Sequence, residues 1–160
     1  MKNDFEIRIA NLTDLDCLCT LEKNTFDPLK YHMLSRRQFR YLLTKGNADI
    51  LVASYDRAIV GVAVLFYRKT SSLGRLYSLA VHPNFQKQSI GHLLFYTLEK
   101  TIKQKGLKGF LCELRQDQVR LLNFYTKLGC KQISILPNYY PDGMSGIKMK
   151  KLFEKEQVKS

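Results

Sequence analysis

The sequence predicts an α/β fold in which a mixed, mostly antiparallel central sheet carries helices on both faces. Short apolar runs with strand-like patterns recur along the 160 residues, and amphipathic runs with a helical repeat lie between them. No repeat, low-complexity segment or Pro/Gly-rich linker divides the chain, whose length suits one domain with a real core. We therefore expect a single domain over 1–160, with a flexible basic tail at 151–160.

The first third of the chain predicts one strand followed by two helices. Residues 5–9 alternate between apolar and polar side chains, as a half-buried strand does. Thr13 or Asp14 is expected to cap the first helix, and Ser35 begins the second. The segment 26–32 between these helices is expected to be irregular.

The middle third predicts a hairpin, a third strand and a long helix. Strands at 50–55 and 58–67 flank a turn at Asp56-Arg57, and the third strand covers 74–81. The helix that follows is predicted to turn one apolar face toward the sheet, formed by Ile90, Leu93, Leu94, Leu98 and Ile102.

The last third predicts a strand, a helix and two closing strands. A short buried strand covers 110–115, and Asp117 is expected to cap a helix that ends at Gly129. Strands at 131–136 and 147–152 then complete the element order β-α-α-β-β-β-α-β-α-β-β.

The composition excludes several classes of protein. Hydrophobic residues make up 45% and charged residues 25% of the chain, and no apolar run is long enough to span a bilayer. The first residues lack the apolar core of a signal peptide, so a cytoplasmic location and no membrane partner are expected. The cysteines form no CxxC pair and no histidines have metal-ligand spacing, so no metal is expected. Cys112 and Cys130 lie in apolar runs and are expected in the core.

The net charge of +12, from 26 basic and 14 acidic residues, leaves several partners open. A solvated basic surface explains this charge most simply. A phosphate-rich cofactor, an acidic substrate and RNA are the alternatives. The basic residues are spread along the chain, and their sharpest cluster lies at 148–155.

One segment, 76–105, predicts an anion-binding site. An apolar strand ends at a proline, and a polar loop at 86–91 then begins the amphipathic helix. The first amide groups of a helix have no partner within it, and with the positive end of the helix dipole they favour a phosphate group. The small residues Ser89 and Gly91 let the backbone approach a ligand closely. The loop matches neither a Walker P-loop nor a dinucleotide GxGxxG motif.

Two side chains in apolar surroundings are candidates for acid–base chemistry. Glu113 lies in an apolar strand, where it is either a satisfied strand-end charge or a base with a raised pKa. Arg115, two residues on and on the same strand face, is a candidate ion-pair partner for it. Tyr125 shares a helical stripe with Leu121 and Leu128, so it is either a core tyrosine or a proton donor to a thiolate leaving group.

The loop and three later segments resemble the GNAT family of N-acetyltransferases, so a GNAT-like sheet is expected. Gln86 and Gly91 match the outer positions of the acyl-CoA-binding motif of that family, Q/R-x-x-G-x-G/A. The segments 113–115, 123–129 and 138–143 look like matching stretches of the ribosomal-protein alanine N-acetyltransferases. The resemblance covers nearly the whole chain and is loose before residue 50.

The resemblance implies acetyl transfer from acetyl-CoA to a primary amine. It makes Glu113 the general base and Tyr125 the general acid, with a backbone N–H near Leu79 on the thioester carbonyl. It places Tyr139 and Tyr140 on the acceptor side. The other residues that it places at the cofactor come from the strand end, the loop, the helix start and the next helix, namely Ala80, Val81, Gln86, Lys87, Gln88, Ser89, Ile90, Gly91, His92 and Gln118, with Tyr125 also in contact.

Four positions depart from the family pattern. Cys130 follows Gly129 where the family usually has an aromatic residue. Ser89 stands where the family prefers glycine, which either costs an easy backbone angle or supplies a hydroxyl to the phosphate. Gln118 replaces the usual asparagine, and the loop at 26–31 lacks the usual Pro-Trp.

The expected acceptor is the N-terminal α-amine of a protein or peptide. A small-molecule amine is an alternative within the same chemistry. An acyl-CoA sensor without turnover and a basic nucleic-acid-binding module are alternatives from other classes. Monomer and homodimer are both compatible with the sequence.

Overall fold

The computed structural model describes residues 5–86 and 89–154. Across these residues the chain forms seven strands, namely β1 (Phe5–Ile9), β2 (Ala48–Tyr55), β3 (Ala58–Phe66), β4 (Leu73–Val81), β5 (Gly109–Arg115), β6 (Lys131–Leu136) and β7 (Gly146–Leu152). The α-helices are α1 (Leu15–Thr25), α2 (Arg36–Thr44), α3 (Ile90–Gln104) and α4 (Val119–Lys127). The predicted element order is confirmed.

The seven strands form one sheet in the order β1-β2-β3-β4-β5-β7-β6. Each neighbouring pair is antiparallel except β4 and β5, which are parallel. Parallel neighbours need a crossover, and α3 supplies it between β4 and β5. The predicted mixed, mostly antiparallel sheet is confirmed.

The helices cover both faces of the sheet, because alternate residues of each strand point to opposite sides. On β2, Leu51 and Ala53 pack in the core beneath α3 and α4. Ile50 and Val52 pack in a second core, which α1 and α2 cover. Cys112 and Cys130 are both buried in the first core, as predicted.

The predicted apolar face of α3 is wrong at one position. Leu93 is an exposed side chain, whereas Phe95 is fully buried against the sheet. The stripe therefore follows Ile90, Leu94, Leu98 and Ile102, and it turns toward Phe95 instead of Leu93. Phe95 packs edge-on against Phe110 of β5, with ring centroids 5.7 Å apart.

Helix capping follows the sequence at α2 and departs from it elsewhere. The Ser35 hydroxyl accepts the Gln38 N–H, as a capping residue does. Before α1, Asn11 caps a short 3-10 turn at Leu12–Asp14, so Thr13 is not the cap. Asp14 occupies the N-cap position of α1 but makes no capping bond to that helix, because its carboxylate accepts hydrogen bonds from Arg8 and from the Asn11 N–H.

The sheet opens at the C-terminal end of β4. Pairing between β4 and β5 covers four positions, from Leu73 opposite Gly109 to Leu76 opposite Cys112. Val64 then pairs with Ser78 on the other side of β4, so Tyr77 is an extra, bulged residue. Beyond Leu76 the two strands separate, and none of the described strands pairs with the β5-facing edge of residues 77–81.

The predicted flexible tail begins too early. Lys151 and Leu152 belong to β7, where they pair with Phe110 and Gly109. Lys151 is held further by an ion pair of 2.7 Å with Glu99 of α3. Residues 155–160 lie outside the described part of the chain.

Within residues 5–86 and 89–154, none of the helices is long and apolar enough to cross a membrane.

Candidate functional site

A cavity of about 110 Å³ lies where β4 and β5 separate. Its walls come from α1, the loop after α1, both strands, α4 and the loop before β7. Five residues predicted from the sequence to act at the site line this cavity together: Leu79, Glu113, Tyr125, Tyr139 and Tyr140.

Glu113 projects from β5 into the cavity with 13% of its side chain exposed. Its Oε2 accepts a hydrogen bond from Nε of Arg75 on β4 at 3.2 Å. Nη2 of the same guanidinium donates to the Tyr139 hydroxyl at 3.4 Å. The predicted ion pair between Glu113 and Arg115 is therefore wrong, because Arg75 reaches Glu113 from the neighbouring strand.

Arg75 is a site residue that the sequence analysis missed. It is a lone cation in the apolar strand β4, just as Glu113 is a lone anion in β5. Two opposite charges isolated in buried strands are a signal that could have found it, because a buried charge needs a partner.

Tyr125 is 2% exposed and lies on α4 between the cavity and the core. Its ring packs edge-on against Phe95 at 5.9 Å between centroids. Burial raises the pKa of the Tyr125 phenol well above its usual value. The phenol is protonated at neutral pH even without this shift, and the shift makes it a weaker acid than an exposed tyrosine.

Arg115 is buried, with 2% of its surface exposed, and it lines the cavity and makes five hydrogen bonds. Nη1 and Nη2 donate to the two oxygens of Asp142 at 3.0 and 2.8 Å. Nε and Nη2 each donate to Asp117 at 3.1 Å. Nη1 also donates to the Lys30 carbonyl at 2.7 Å. The predicted cap at Asp117 is wrong for this reason: its carboxylate binds Arg115, and Gln118 occupies the N-cap position of α4.

The same guanidinium holds two loops together through aromatic contacts. Its Cζ lies 5.3 Å from the ring centroid of Tyr31 and 5.2 Å from that of Tyr140. His32 Nε2 hydrogen-bonds the Tyr139 carbonyl at 3.1 Å. The loop after α1 and the loop before β7 thus form one wall that Arg115 fixes in place.

The Arg115–Asp142 contact predicts a pH dependence of stability. Hydrogen bonds from Arg115 lower the pKa of the Asp142 carboxyl to about 2. A lowered folded-state pKa means that the contribution is complete above the unfolded pKa of about 3.9 and disappears as the pH falls through about 2. We expect Asp142→Asn to have a lower urea midpoint than wild type. The difference should be largest at pH 5 and should shrink progressively between pH 4 and pH 2. A difference that stays constant over this range would contradict the assignment.

The anion-binding loop departs from an ordinary helix start at Ser89. This residue precedes α3 with φ 62° and ψ 14°, in the left-handed region that favours glycine. The cost in backbone angle expected from the sequence is therefore present. Gln86 donates from Nε2 to the Val81 carbonyl at 3.1 Å, which ties the loop to the end of β4. Lys87 and Gln88 lie outside the described residues.

Replacing Ser89 by glycine is expected to stabilise the protein by about 0.5–1 kcal/mol. The left-handed conformation costs a non-glycine residue roughly 1–2 kcal/mol, while the greater freedom of glycine in the unfolded chain takes back about 0.4–1 kcal/mol. Urea unfolding of Ser89→Gly measures the gain. Ser134→Gly is the matched control, because Ser134 lies in β6 without a positive φ and should lose stability. A less stable Ser89→Gly would show that its hydroxyl matters more than its backbone angle.

The other residues predicted to contact the cofactor lie around this loop, and some are buried while others are exposed to solvent. Ile90 is fully buried in the core, and Ala80 packs on the opposite face of the sheet, so either would meet a ligand through its backbone. Gly91 has room at its α-carbon, since an added Cβ would lie 3.8 Å from Phe124. His92 is exposed and packs edge-on against the same ring at 4.8 Å.

The opened edge of β4 offers polar groups to a ligand. The Ser78 hydroxyl oxygen is buried and makes no hydrogen bond to any residue of 5–86 or 89–154. Ser78 and Leu79 both line the cavity. An extended ligand along residues 77–81 would therefore find an unpaired strand edge and an unpartnered hydroxyl, which suits the amide-containing pantetheine arm of coenzyme A.

Comparison with known proteins relates the chain to one family and to a characterised relative. Residues 17–153 match the acetyltransferase (GNAT) domain family. The chain is 27% identical over 137 residues to the [ribosomal protein bS18]-alanine N-acetyltransferase of Salmonella typhimurium, covering 84% of this chain and 86% of that protein.

Solved structures show the same fold. The crystal structure of the ribosomal-protein-S18-alanine N-acetyltransferase from Escherichia coli superposes with a TM-score of 0.83 and 21% identity, over 96% of this chain and 98% of that one. The PaiA N-acetyltransferase of Thermoplasma acidophilum, solved in complex with coenzyme A, superposes with a TM-score of 0.79 and 20% identity, over 94% and 99% of the two chains.

Proposed function

The chain belongs to the acetyltransferase (GNAT) family, and we propose on that premise that it acetylates the N-terminal α-amine of a protein or peptide. The predicted enzyme class and the predicted cofactor, acetyl-CoA, are confirmed by this membership. The observation that carries the proposal is the meeting of Glu113, Tyr125 and the opened edge of β4 in one cavity. The similarity to bS18-alanine N-acetyltransferases supports a protein N-terminus as the acceptor.

The proposed reaction needs no covalent enzyme intermediate. Glu113 removes a proton from the acceptor ammonium, directly or through a water, and the free amine attacks the thioester carbon. The backbone N–H of Leu79, on the unpaired edge of β4, stabilises the developing oxyanion. As the C–S bond breaks, Tyr125 gives its proton to the thiolate and is restored by the second proton of the attacking nitrogen. One proton is released in total for each amide formed.

The wall formed by the loop after α1 and the loop before β7 is an argument for a peptide acceptor. Tyr139 and Tyr140 lie in the loop before β7 with their rings 5.0 Å apart, and Tyr31 approaches Tyr140 at 5.7 Å. Such rings provide a rigid amphipathic surface for an extended chain. Because Arg115 fixes this wall, the acceptor side is ordered before an acceptor arrives.

The proposal is tested by thiol release from acetyl-CoA with a panel of peptides that differ in their first residue. Peptides with a free N-terminus are expected to release thiol, and the same peptides with a blocked N-terminus are expected to release none. Release with small amines alone would favour the small-molecule alternative. A thermal shift with acetyl-CoA without turnover on any amine would favour the sensor.

Tyr125→Phe is expected to lower kcat by about 10- to 100-fold. General acid catalysis contributes about 10²–10⁴, and a thiolate needs less help than most leaving groups, so the lower range applies. The ring remains, and the packing against Phe95 should be kept. Steady-state thiol release measures the effect, with Tyr41→Phe on the exposed face of α2 as the control. Equal rates for the two variants would remove Tyr125 from the mechanism.

A further inference from the structure

Glu22 is a buried carboxylate that the proposed reaction does not use. It lies near the C-terminal end of α1 and is 4% exposed. Its Oε1 accepts one hydrogen bond, from the backbone N–H of Leu34 at 3.0 Å. Burial raises the pKa of its carboxyl, and the hydrogen bond offsets this only in part. A charge in this position is costly unless a cation joins it.

The Glu22 carboxylate has no cationic partner among the described residues, although it lines the cavity. The two guanidinium groups on this cavity are already paired. Arg75 binds Glu113, and Arg115 binds Asp117 and Asp142. The carboxylates that line the cavity are therefore Glu113, which has a guanidinium partner, and Glu22, which has none among the described residues, in a chain whose net charge is +12.

Aromatic faces near Glu22 add to the attraction for a cation. Phe26, Tyr31 and Tyr77 line the same cavity, and two of these rings already attract a cation: Arg115 lies 5.3 Å from the Tyr31 centroid and Arg75 lies 5.5 Å from the Tyr77 centroid. The faces of such rings carry partial negative charge and stabilise an ammonium group. A surplus carboxylate and aromatic walls are the surroundings in which a cationic amine binds best.

We propose that Glu22 is the residue that recognises the acceptor amine in its ammonium form. It binds the cation on entry, and Glu113, which lines the same cavity, removes the proton before attack. This inference rests on the proposed amine acetyltransferase function and adds its recognition step. It selects acceptors that arrive with a positive charge and disfavours neutral amides and hydroxyls.

A purely structural role is the competing explanation, because Glu22 also holds Leu34 at the start of the segment before α2. The two explanations differ in what Glu22→Gln does. The amide oxygen of glutamine still accepts the Leu34 N–H, and the variant removes a buried charge. If Glu22 serves recognition, the melting temperature should stay equal or rise while acceptor binding weakens.

The test measures KM for a free-amine peptide and for acetyl-CoA in wild type and Glu22→Gln. We expect KM for the peptide to rise about 10- to 100-fold, the range that a charge-assisted hydrogen bond supplies, with KM for acetyl-CoA unchanged. Calorimetry with coenzyme A present adds a readout free of turnover: wild type should prefer the free-amine peptide to its N-acetylated form, and Glu22→Gln should lose that preference.

Glu99→Gln is the matched control. Glu99 is a buried glutamate on α3, paired with Lys151 away from the cavity, so its loss should lower stability and leave both KM values unchanged. The inference would be overturned if Glu22→Gln had the same KM for the peptide as wild type and still preferred the free-amine peptide to its N-acetylated form. A fall in melting temperature with both KM values raised alike would also overturn it. Failure of wild type to acetylate any amine would instead overturn the proposed function, and the inference with it.

Discussion

Glu113→Gln is expected to lower kcat at neutral pH by about 10²–10⁴, the contribution that a positioned general base makes, if the proposed role of Glu113 holds. The carboxylate lies 3.2 Å from Arg75, which orients it toward the cavity, and glutamine has nearly the same shape without the basic oxygen. Arg75 keeps contact with water, so the variant should still fold. Thiol release at saturating peptide measures kcat, and a thermal shift with acetyl-CoA should be the same as in wild type.

The control for this prediction is an exposed carboxylate. Asp16 on α1 pairs with Arg36 at the surface, and Asp16→Asn should leave both kcat and the thermal shift unchanged. A Glu113→Gln enzyme with wild-type kcat would remove Glu113 as the base. If the thermal shift with acetyl-CoA disappeared as well, the loss would be one of cofactor binding and would not support a base.

Arg115→Met is expected to destabilise the fold by about 3 kcal/mol, at the lower end of the cost of breaking a buried ion pair. The methionine side chain fills part of the space but cannot satisfy the Lys30 carbonyl or the carboxylates of Asp117 and Asp142. These carboxylates are 41% and 31% exposed, so water recovers part of the loss. Urea unfolding measures the change.

The same variant should weaken binding of the peptide acceptor more than binding of acetyl-CoA. Tyr31 and Tyr140 lose the cation that lies against both rings, so KM for the peptide should rise while KM for acetyl-CoA changes little. Arg36→Met, which breaks a surface pair, is the control and should leave the urea midpoint unchanged. An Arg115→Met protein as stable as wild type would show that the network is not needed for the fold.

The order of the elements was predictable because apolar spacing gives their type and turn, cap and glycine signals give their ends. Strand alternation in β1 to β3 and the helical repeat of α3 leave little choice about which residues face the core. The repeat does not decide which of its two edges is buried: Leu93 and Phe95 lie on opposite sides of the stripe, and Phe95 is the one that packs in the core.

The partners of the site charges were less predictable, since they depend on register between strands distant in sequence. Glu113 and Arg115 share a strand face, but Arg75 reaches Glu113 because β4 and β5 are parallel neighbours. Asp117 has the chemistry of a helix cap, yet the buried guanidinium of Arg115 binds its carboxylate instead. Glu22 carried no local signal beyond its place at the end of an amphipathic helix.

The short pairing between β4 and β5 has a consequence for the protein as a whole. Only four paired positions among the described residues join the β1–β4 half of the sheet to the β5–β7–β6 half. Acetyl-CoA extended along residues 77–81 would contact both halves of the sheet where β4 and β5 separate, and it would add contacts between them that the two strands do not make themselves. A ligand that binds only the folded state at 100 times its Kd adds about 2.7 kcal/mol to stability. The substrate would thus complete the architecture on arrival, and each product release would loosen it again.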